Sequence, residues 1–311
     1  ANYHWNDWLT LVGGLRVDNN QVRGSEGYGT QWSSRLAVVA TPGPPGRNWI
    51  LKAIFSNAFK DADNQAKYST LSGIRDFPNP NLKLEKVVNY EGSVGKQITP
   101  TLFADVVVYY ARYNRVIGTQ DVPCVEFETP SYQCSEGATT SQRNGDLGPL
   151  EIGGLQSTLS FEWPSTLLGW QVSGYANYTF TDPYSTDFKP EPDSTLGRRR
   201  IGDIASHRVN VGLNGRRKRL NVNVRMNYVG DRKTGAETTV KGNPFDEIDA
   251  YTVFHAAVSF EINGKATVQL VGNNLFNKQY YHPGGRTARG SFASRLPQDE
   301  RQLLLRLLLT I

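Results

Sequence analysis

The sequence predicts an all-β chain, an up-and-down antiparallel transmembrane β-barrel segment of about twelve strands with short turns at one end and long loops at the other. Three observations predict it. Apolar and polar residues alternate in one segment after another, the connections between segments alternate between short and long, and aromatic residues gather at segment ends.

Composition sets the bounds. Hydrophobic residues make up 38% of the 311 and charged residues 20%, which is too apolar for a disordered tail. No run approaches the roughly 20 apolar residues that a membrane-crossing helix requires, so a helical membrane protein is excluded. A barrel is not, because only every second residue of a spanning strand meets lipid. Thirty glycines, 15 tyrosines and six tryptophans beside one methionine, Met226, favour strands and turns. The net charge of +5 is scattered, apart from Arg198, Arg199, Arg200 and Arg216, Arg217, Lys218, Arg219, so no nucleic-acid partner is expected.

The clearest strand runs over 220–228, where Leu220, Val222, Val224, Met226 and Tyr228 alternate with Asn221, Asn223, Arg225 and Asn227. In a soluble sandwich the oily face would meet a second sheet; in a barrel it meets lipid, and the Asn and Arg face lines an aqueous interior. Residues 170–180 alternate in the same way. Further strands are expected at 8–18, 31–41, 48–60, 84–98, 102–117, 151–163, 206–214, 250–261, 265–275 and 301–311. Short connections centre on 42–47, 99–101, 164–169, 215–219 and 263–264. Long polar ones cover 19–30, 61–83, 118–150, 182–205, 231–249 and 276–300. A soluble sandwich has no reason to place every long loop at one end.

Trp49, Phe103, Trp163, Trp170 and Phe260 lie next to short turns and are expected to form one interfacial girdle. Trp32, Phe59, Tyr110, Tyr113, Phe180, Tyr228 and Tyr251 are expected to form the other. In the last strand Leu303, Leu305, Leu307, Leu309 and Ile311 share a face. Arg306 then points inward, since an arginine at mid-membrane on the lipid face costs roughly 2–4 kcal/mol.

Cys124 and Cys134, with nine residues between them in a polar loop, predict a local disulfide in an oxidising compartment. A metal would need more ligands, and His4, His207, His255 and His282 fall in separate segments without zinc spacing. No nucleophile elbow or phosphate loop occurs, so neither a cofactor nor an enzyme activity is expected. Ala1 is not followed by a charged and then apolar leader, so an export signal is expected to be removed or to lie outside the chain.

Three motifs resemble the C-terminal barrel of TonB-dependent outer-membrane receptors. Asn79, Pro80, Asn81, Leu82, Lys83, Leu84, Glu85 and Lys86, followed by Asn89, Tyr90 and Glu91, are similar to the family's NPNLKPEK and NYE run. Tyr228, Val229, Gly230, Asp231 and Arg232 resemble its YVGDR strand end. Val271, Asn273, Asn274, Leu275, Phe276, Asn277, Lys278, Tyr280 and Tyr281 resemble its V.NLF.K.YY segment. Leu84 stands where the family often has proline, and Ile311 where it usually has an aromatic residue.

The resemblance implies a bacterial outer-membrane protein that imports a scarce nutrient such as a ferric siderophore, haem or cobalamin. Such receptors have 22 strands around a plug that carries the TonB box. Residues 1–311 therefore correspond to one domain, the C-terminal part of the barrel without plug or early strands, and the TonB complex is a partner only through the absent plug. Outer-membrane lipid, lipopolysaccharide, the nutrient and other envelope proteins are the remaining expected partners. The alternatives are a plugless twelve-stranded passive channel, a structural barrel in a larger envelope complex, or a soluble β-rich binding protein.

Any ligand site here would be half a site, completed by the plug. Arg198, Arg199 and Arg200 are candidates to hold an anionic siderophore or lipopolysaccharide phosphates, against the alternative of pairing with Asp203 or Glu91. Phe127, Tyr132, Tyr184 and Phe245 are candidates to stack on a catecholate or sugar, against packing among the loops themselves. The Asn79–Leu82 stretch reads as a structural loop end, because Pro80 holds Asn79 extended. Asn273, Asn274, Leu275 and Phe276 read as a strand end whose amides satisfy free backbone groups.

Overall fold

A computed structural model describes residues 1–21, 27–43, 49–62, 67–68, 76–127, 134, 136–146, 148–167, 169–182, 184–185, 199–200, 203–233, 247–284 and 295–309. Thirteen strands form one sheet in which each pairs antiparallel with its chain neighbour. They are β1 (Asn2–Asn6), β2 (Leu9–Asn20), β3 (Gly29–Ala40), β4 (Trp49–Lys60), β5 (Glu85–Thr99), β6 (Leu102–Tyr113) and β7 (Leu150–Leu167). Then follow β8 (Trp170–Asp182), β9 (His207–Arg217), β10 (Leu220–Val229), β11 (Tyr251–Asn263), β12 (Ala266–Asn273) and β13 (Gln302–Leu309). The twelve expected strands are all present, and β1 adds a thirteenth.

β1 extends the expected rhythm, since it joins β2 through the two residues Asp7 and Trp8. The Trp8 N–H donates to Asn6 Oδ1 at 3.1 Å, closing the turn on an asparagine side chain. The turn between β11 and β12 uses the same device, with the Lys265 N–H donating to Asn263 Oδ1 at 3.0 Å. Gly169 takes up φ +83° between β7 and β8, a conformation that costs glycine little. Lys218 occupies the left-handed region at φ +51° between β9 and β10 without that advantage.

Register carries the alternation across the sheet. Val209, Val211 and Leu213 of β9 face Tyr228, Met226 and Val224 of β10, which in turn face Thr252, Phe254 and Ala256 of β11. At the far edge Val268 and Leu270 of β12 meet Leu307 and Leu305 of β13, and Arg306 meets Gln269 on the opposite, polar face, as expected. Among the described residues no second layer covers the apolar face: Leu15 is 66% exposed, Leu36 59% and Leu305 76%. Large aliphatic side chains stay this open across a whole sheet only where another apolar phase meets them.

The aromatic borders differ in part from expectation. Trp5, Trp49, Trp163 and Phe260 are exposed near the short turns, and Trp32, Tyr90, Tyr110 and Phe180 toward the long loops. By register, however, Phe103 and Tyr113 lie on the polar face with Asp105 and Tyr109, and Tyr251 lies there with Val253 and His255. One residue of strand parity separates girdle from interior, and end-of-strand position alone does not fix it.

At the long-loop end, short paired segments stand above the sheet. Asp76–Phe77, Thr140–Asp146 and Ile117–Pro123 form a three-stranded sheet, Tyr184–Ser185 pairs with Arg199–Arg200, Arg232–Lys233 with Glu247–Ile248, and Tyr281–Pro283 with Arg295–Pro297. The Asx and short turns lie at the opposite end of the large sheet.

Candidate functional site

The polar face and the rim of loops are the surfaces a solute would meet. On the polar face, β8 to β12 present neutral hydrogen-bonding groups in rows, including Asn177, Asn210 and Asn227. Gln269 Nε2 donates to Ser259 Oγ at 3.0 Å, and His255 Nδ1 shares a hydrogen bond with Asn273 Oδ1 at 3.3 Å. Two tyrosine rings lie flat over glycines on this face. A Cβ at Gly154 would run into the Tyr109 hydroxyl, and one at Gly212 into the Tyr175 ring. The Tyr109 hydroxyl also bonds Thr181 Oγ1 at 2.8 Å, so glycine is what lets the ring settle against the wall.

One rim assembly is built on the disulfide. Cys124 and Cys134 are bonded, with Cα atoms 6.0 Å apart, and they are buried with Phe77 and Val122 in a small apolar core. Cys124–Phe127 forms a helical turn. Phe127, for which the sequence left ligand stacking and packing among the loops both open, packs at its ring on Phe77 with centroids 5.9 Å apart and lies under the Arg143 guanidinium at 4.6 Å. Arg143 donates to Asn79 Oδ1 at 3.1 Å and to the Pro78 carbonyl at 3.4 Å, and Asn79 Nδ2 donates to the Asn144 carbonyl at 2.8 Å. The Asn79, Pro80 motif thus clamps one loop to another 65 residues further on, the structural role read from its sequence.

The second assembly joins the other two motifs. Arg232 is 5% exposed; it donates through Nη2 to the Tyr281 carbonyl at 3.2 Å and faces the Tyr251 ring at 5.9 Å. Tyr251 and Tyr280 rings lie 4.5 Å apart, and the Tyr251 hydroxyl shares a hydrogen bond of 3.1 Å with His282 Nε2. Burial, and then the charges of Arg232 and Arg208, push the His282 pKa down, so the ring favours its neutral form. Burial, with Tyr251 and Asp299 nearby, pushes the Tyr280 phenol up.

Asn274 anchors this assembly. It is 2% exposed, with φ +47°, a backbone region that asparagine tolerates better than most residues. Its Nδ2 donates to the carbonyls of Lys278 at 2.9 Å and Asp299 at 3.2 Å, while its Oδ1 accepts from the Lys278 N–H at 2.8 Å. Asn277 Oδ1 accepts from the Arg301 N–H at 2.8 Å. The amides of this motif satisfy backbone groups, as its sequence suggests.

Of the candidate ligand contacts, Tyr184 and Arg200 are directly opposite in a short hairpin, with Ser185 opposite Arg199. Two candidate groups chosen separately from the sequence therefore sit on one hairpin. Arg198, Tyr132 and Phe245 lie outside the described residues, as does Ile311. The backbone N–H of Asp203 donates to the Lys233 carbonyl at 2.7 Å, and Glu91 sits on the polar face of β5. Sequence reasoning missed Arg143, inside what reads as a featureless loop. It also gave Arg232 no role, although Arg232 closes the YVGDR run.

Residues 1–275 match the model of the β-barrel of TonB-dependent receptor-like proteins, and the chain belongs to that family. Its fold is similar to a mutant of the ferric enterobactin receptor of Pseudomonas aeruginosa, with TM-score 0.72 and 17% identity over 99% of this chain and 43% of that one. The ferric-catecholate import receptor of E. coli K12 gives TM-score 0.69 and 15% identity over 99% of this chain and 43% of that one. The siderophore receptor of Acinetobacter baumannii gives 0.68 and 16% over 99% and 44%. The chain thus spans less than half the length of these solved structures. No curated protein matches its sequence. The family is one of outer-membrane receptors and transporters, not enzymes.

Proposed function

We propose that the chain forms the C-terminal wall of an outer-membrane importer for a scarce nutrient such as a ferric siderophore. The apolar face meets lipid, the polar face lines the interior, and the long-loop rim faces outward. One observation carries this reading: a single sheet with one unbroken apolar face, one polar face and every long loop at the same end. On this reading residues 1–311 are one barrel domain. The plug that contacts the energy-supplying TonB complex comes from elsewhere in the receptor, and the nutrient is held between it and the wall. On this reading Tyr184, Arg199 and Arg200, whose short strands pair at the rim, supply the chemistry for an acidic, aromatic chelate.

A self-closed passive channel is the poorer fit. β1 and β13 run in the same direction, so closing the described sheet on itself would pair two parallel strands in an otherwise antiparallel barrel. The test is uptake of radiolabelled ferric siderophores by iron-starved cells with and without the gene, before and after collapse of the proton-motive force. Uptake that requires both gene and energy supports the proposal. Gene-dependent uptake that persists without energy contradicts it.

A further inference from the structure

The apolar face is not level. Where β3 to β6 run side by side, residues on that face form rows in register. An upper row holds Leu36, Phe55, Tyr90 and Tyr110, and a lower row Ala40, Leu51, Val94 and Val106. Between them lie Val38, Ala53, Gly92 and Val108. With a methyl group and a hydrogen at its centre, this middle row is a notch. It opens into two adjoining hollows of about 570 and 410 Å³, both lined by all four of its residues.

Toward the long loops of the same strands lies a third hollow, of about 520 Å³. Lys67, Lys83, Lys86 and Arg115 line it, against a single carboxylate, Asp61. Asp61 holds the Lys67 ammonium at 3.2 Å, and Arg115 approaches Asp146 at 3.5 Å. Lys83 and Lys86 are exposed and make no ion pair among the described residues. By strand parity Lys86 shares a face with Tyr90 and Gly92, about 13 Å beyond Tyr90 along β5. A cationic recess thus stands just past the tyrosine row, at the level where the headgroups of a surrounding leaflet would lie.

We propose that notch and recess together form a binding site for one phosphate-bearing acyl lipid of the outer leaflet, of the lipopolysaccharide type. An acyl chain lies in the notch over Ala53 and Gly92, and a phosphate sits between Lys83 and Lys86. The inference rests on the reading that the apolar face meets membrane. Charge complementarity selects the occupant: a neutral lipid would leave the recess unused, and a soluble anion would leave the notch unfilled.

Two variants separate the parts. Lys83→Gln with Lys86→Gln removes two charges, each worth about fivefold in binding at a membrane surface. Gly92→Leu fills the notch, and its Cβ meets only Val108 Cγ2, at an ordinary 3.6 Å, so the fold accepts it. The experiment is native mass spectrometry of the protein expressed from its whole gene and purified from outer membranes in mild detergent. The wild type is expected to retain lipopolysaccharide, the double variant about 25-fold less, and Gly92→Leu markedly less, each with unchanged circular dichroism.

Wild-type retention in both variants would overturn the proposal. So would equal retention of dephosphorylated lipid, or displacement by inorganic phosphate alone, which would mark a simple anion site. Those results leave detergent dependence and iron uptake untouched. A protein that stays in solution without detergent would remove the membrane reading as well.

Discussion

The two rim assemblies solve the same problem by different chemistry. Above β4 to β7, loops are joined by the Cys124–Cys134 bond over a small apolar core of Phe77 and Val122, locked by Arg143 on Asn79. Above β10 to β13, no covalent bond is used, and the loops are held by Asn274, by buried Arg232 and by the rings of Tyr251, Tyr280 and His282. Long loops pay a large conformational entropy for order, and a crosslink and a set of side-chain to backbone hydrogen bonds are two ways of offsetting it. The difference predicts that the first assembly answers to reductant and the second to pH.

The largest effect is expected at the disulfide. Cys124→Ser with Cys134→Ser opens a ring of about ten residues and should lower the local stability of that cap by about 3 kcal/mol. Hydrogen exchange over 140–146 should speed up while 275–284 stays unchanged. Asn274→Ala should do the reverse, costing about 2 kcal/mol by removing three hydrogen bonds and an asparagine from a left-handed position. Faster exchange at 140–146 in that variant would show that the two assemblies are one unit.

The pH effect follows from His282, whose folded pKa lies below its ordinary value. Neutral His282 therefore adds stability above the unfolded pKa near 6.5, and that contribution is lost as pH falls through the folded pKa. Exchange at 281–283 should accelerate as pH falls below the unfolded value near 6.5, and His282→Phe should abolish the dependence. The disulfide cap should show none of it. Smallest, and at the opposite end of the sheet, Lys218→Gly should raise thermal stability by roughly 0.5–1 kcal/mol by relieving the left-handed turn. It should leave exchange in both assemblies as it was.

The sheet was legible because period-two alternation is local: Leu220 to Tyr228 shows its two faces without reference to any other segment. β1 was missed because five residues, Asn2–Asn6, are too few to display a period. The faces of Phe103, Tyr113 and Tyr251 depend on parity, which a one-residue error in a strand boundary inverts. The motifs showed where loops end but not what they grip, because Asn79 meets Arg143 and Asn144 across 64 and 65 residues with no periodicity to announce it. The disulfide was readable as the only cysteine pair. The basic recess was not, since it gathers Lys67, Lys83, Lys86 and Arg115 from separate turns of chain.

The central claim is that one face of this sheet meets hydrocarbon and the other meets water. Spin labels on Asn223→Cys and Val224→Cys, adjacent residues of β10 on opposite faces, test it in membranes by power saturation. The Val224 label should be relaxed by oxygen and shielded from an aqueous nickel chelate, and the Asn223 label should show the opposite. Equal access of the nickel chelate to both would contradict the account.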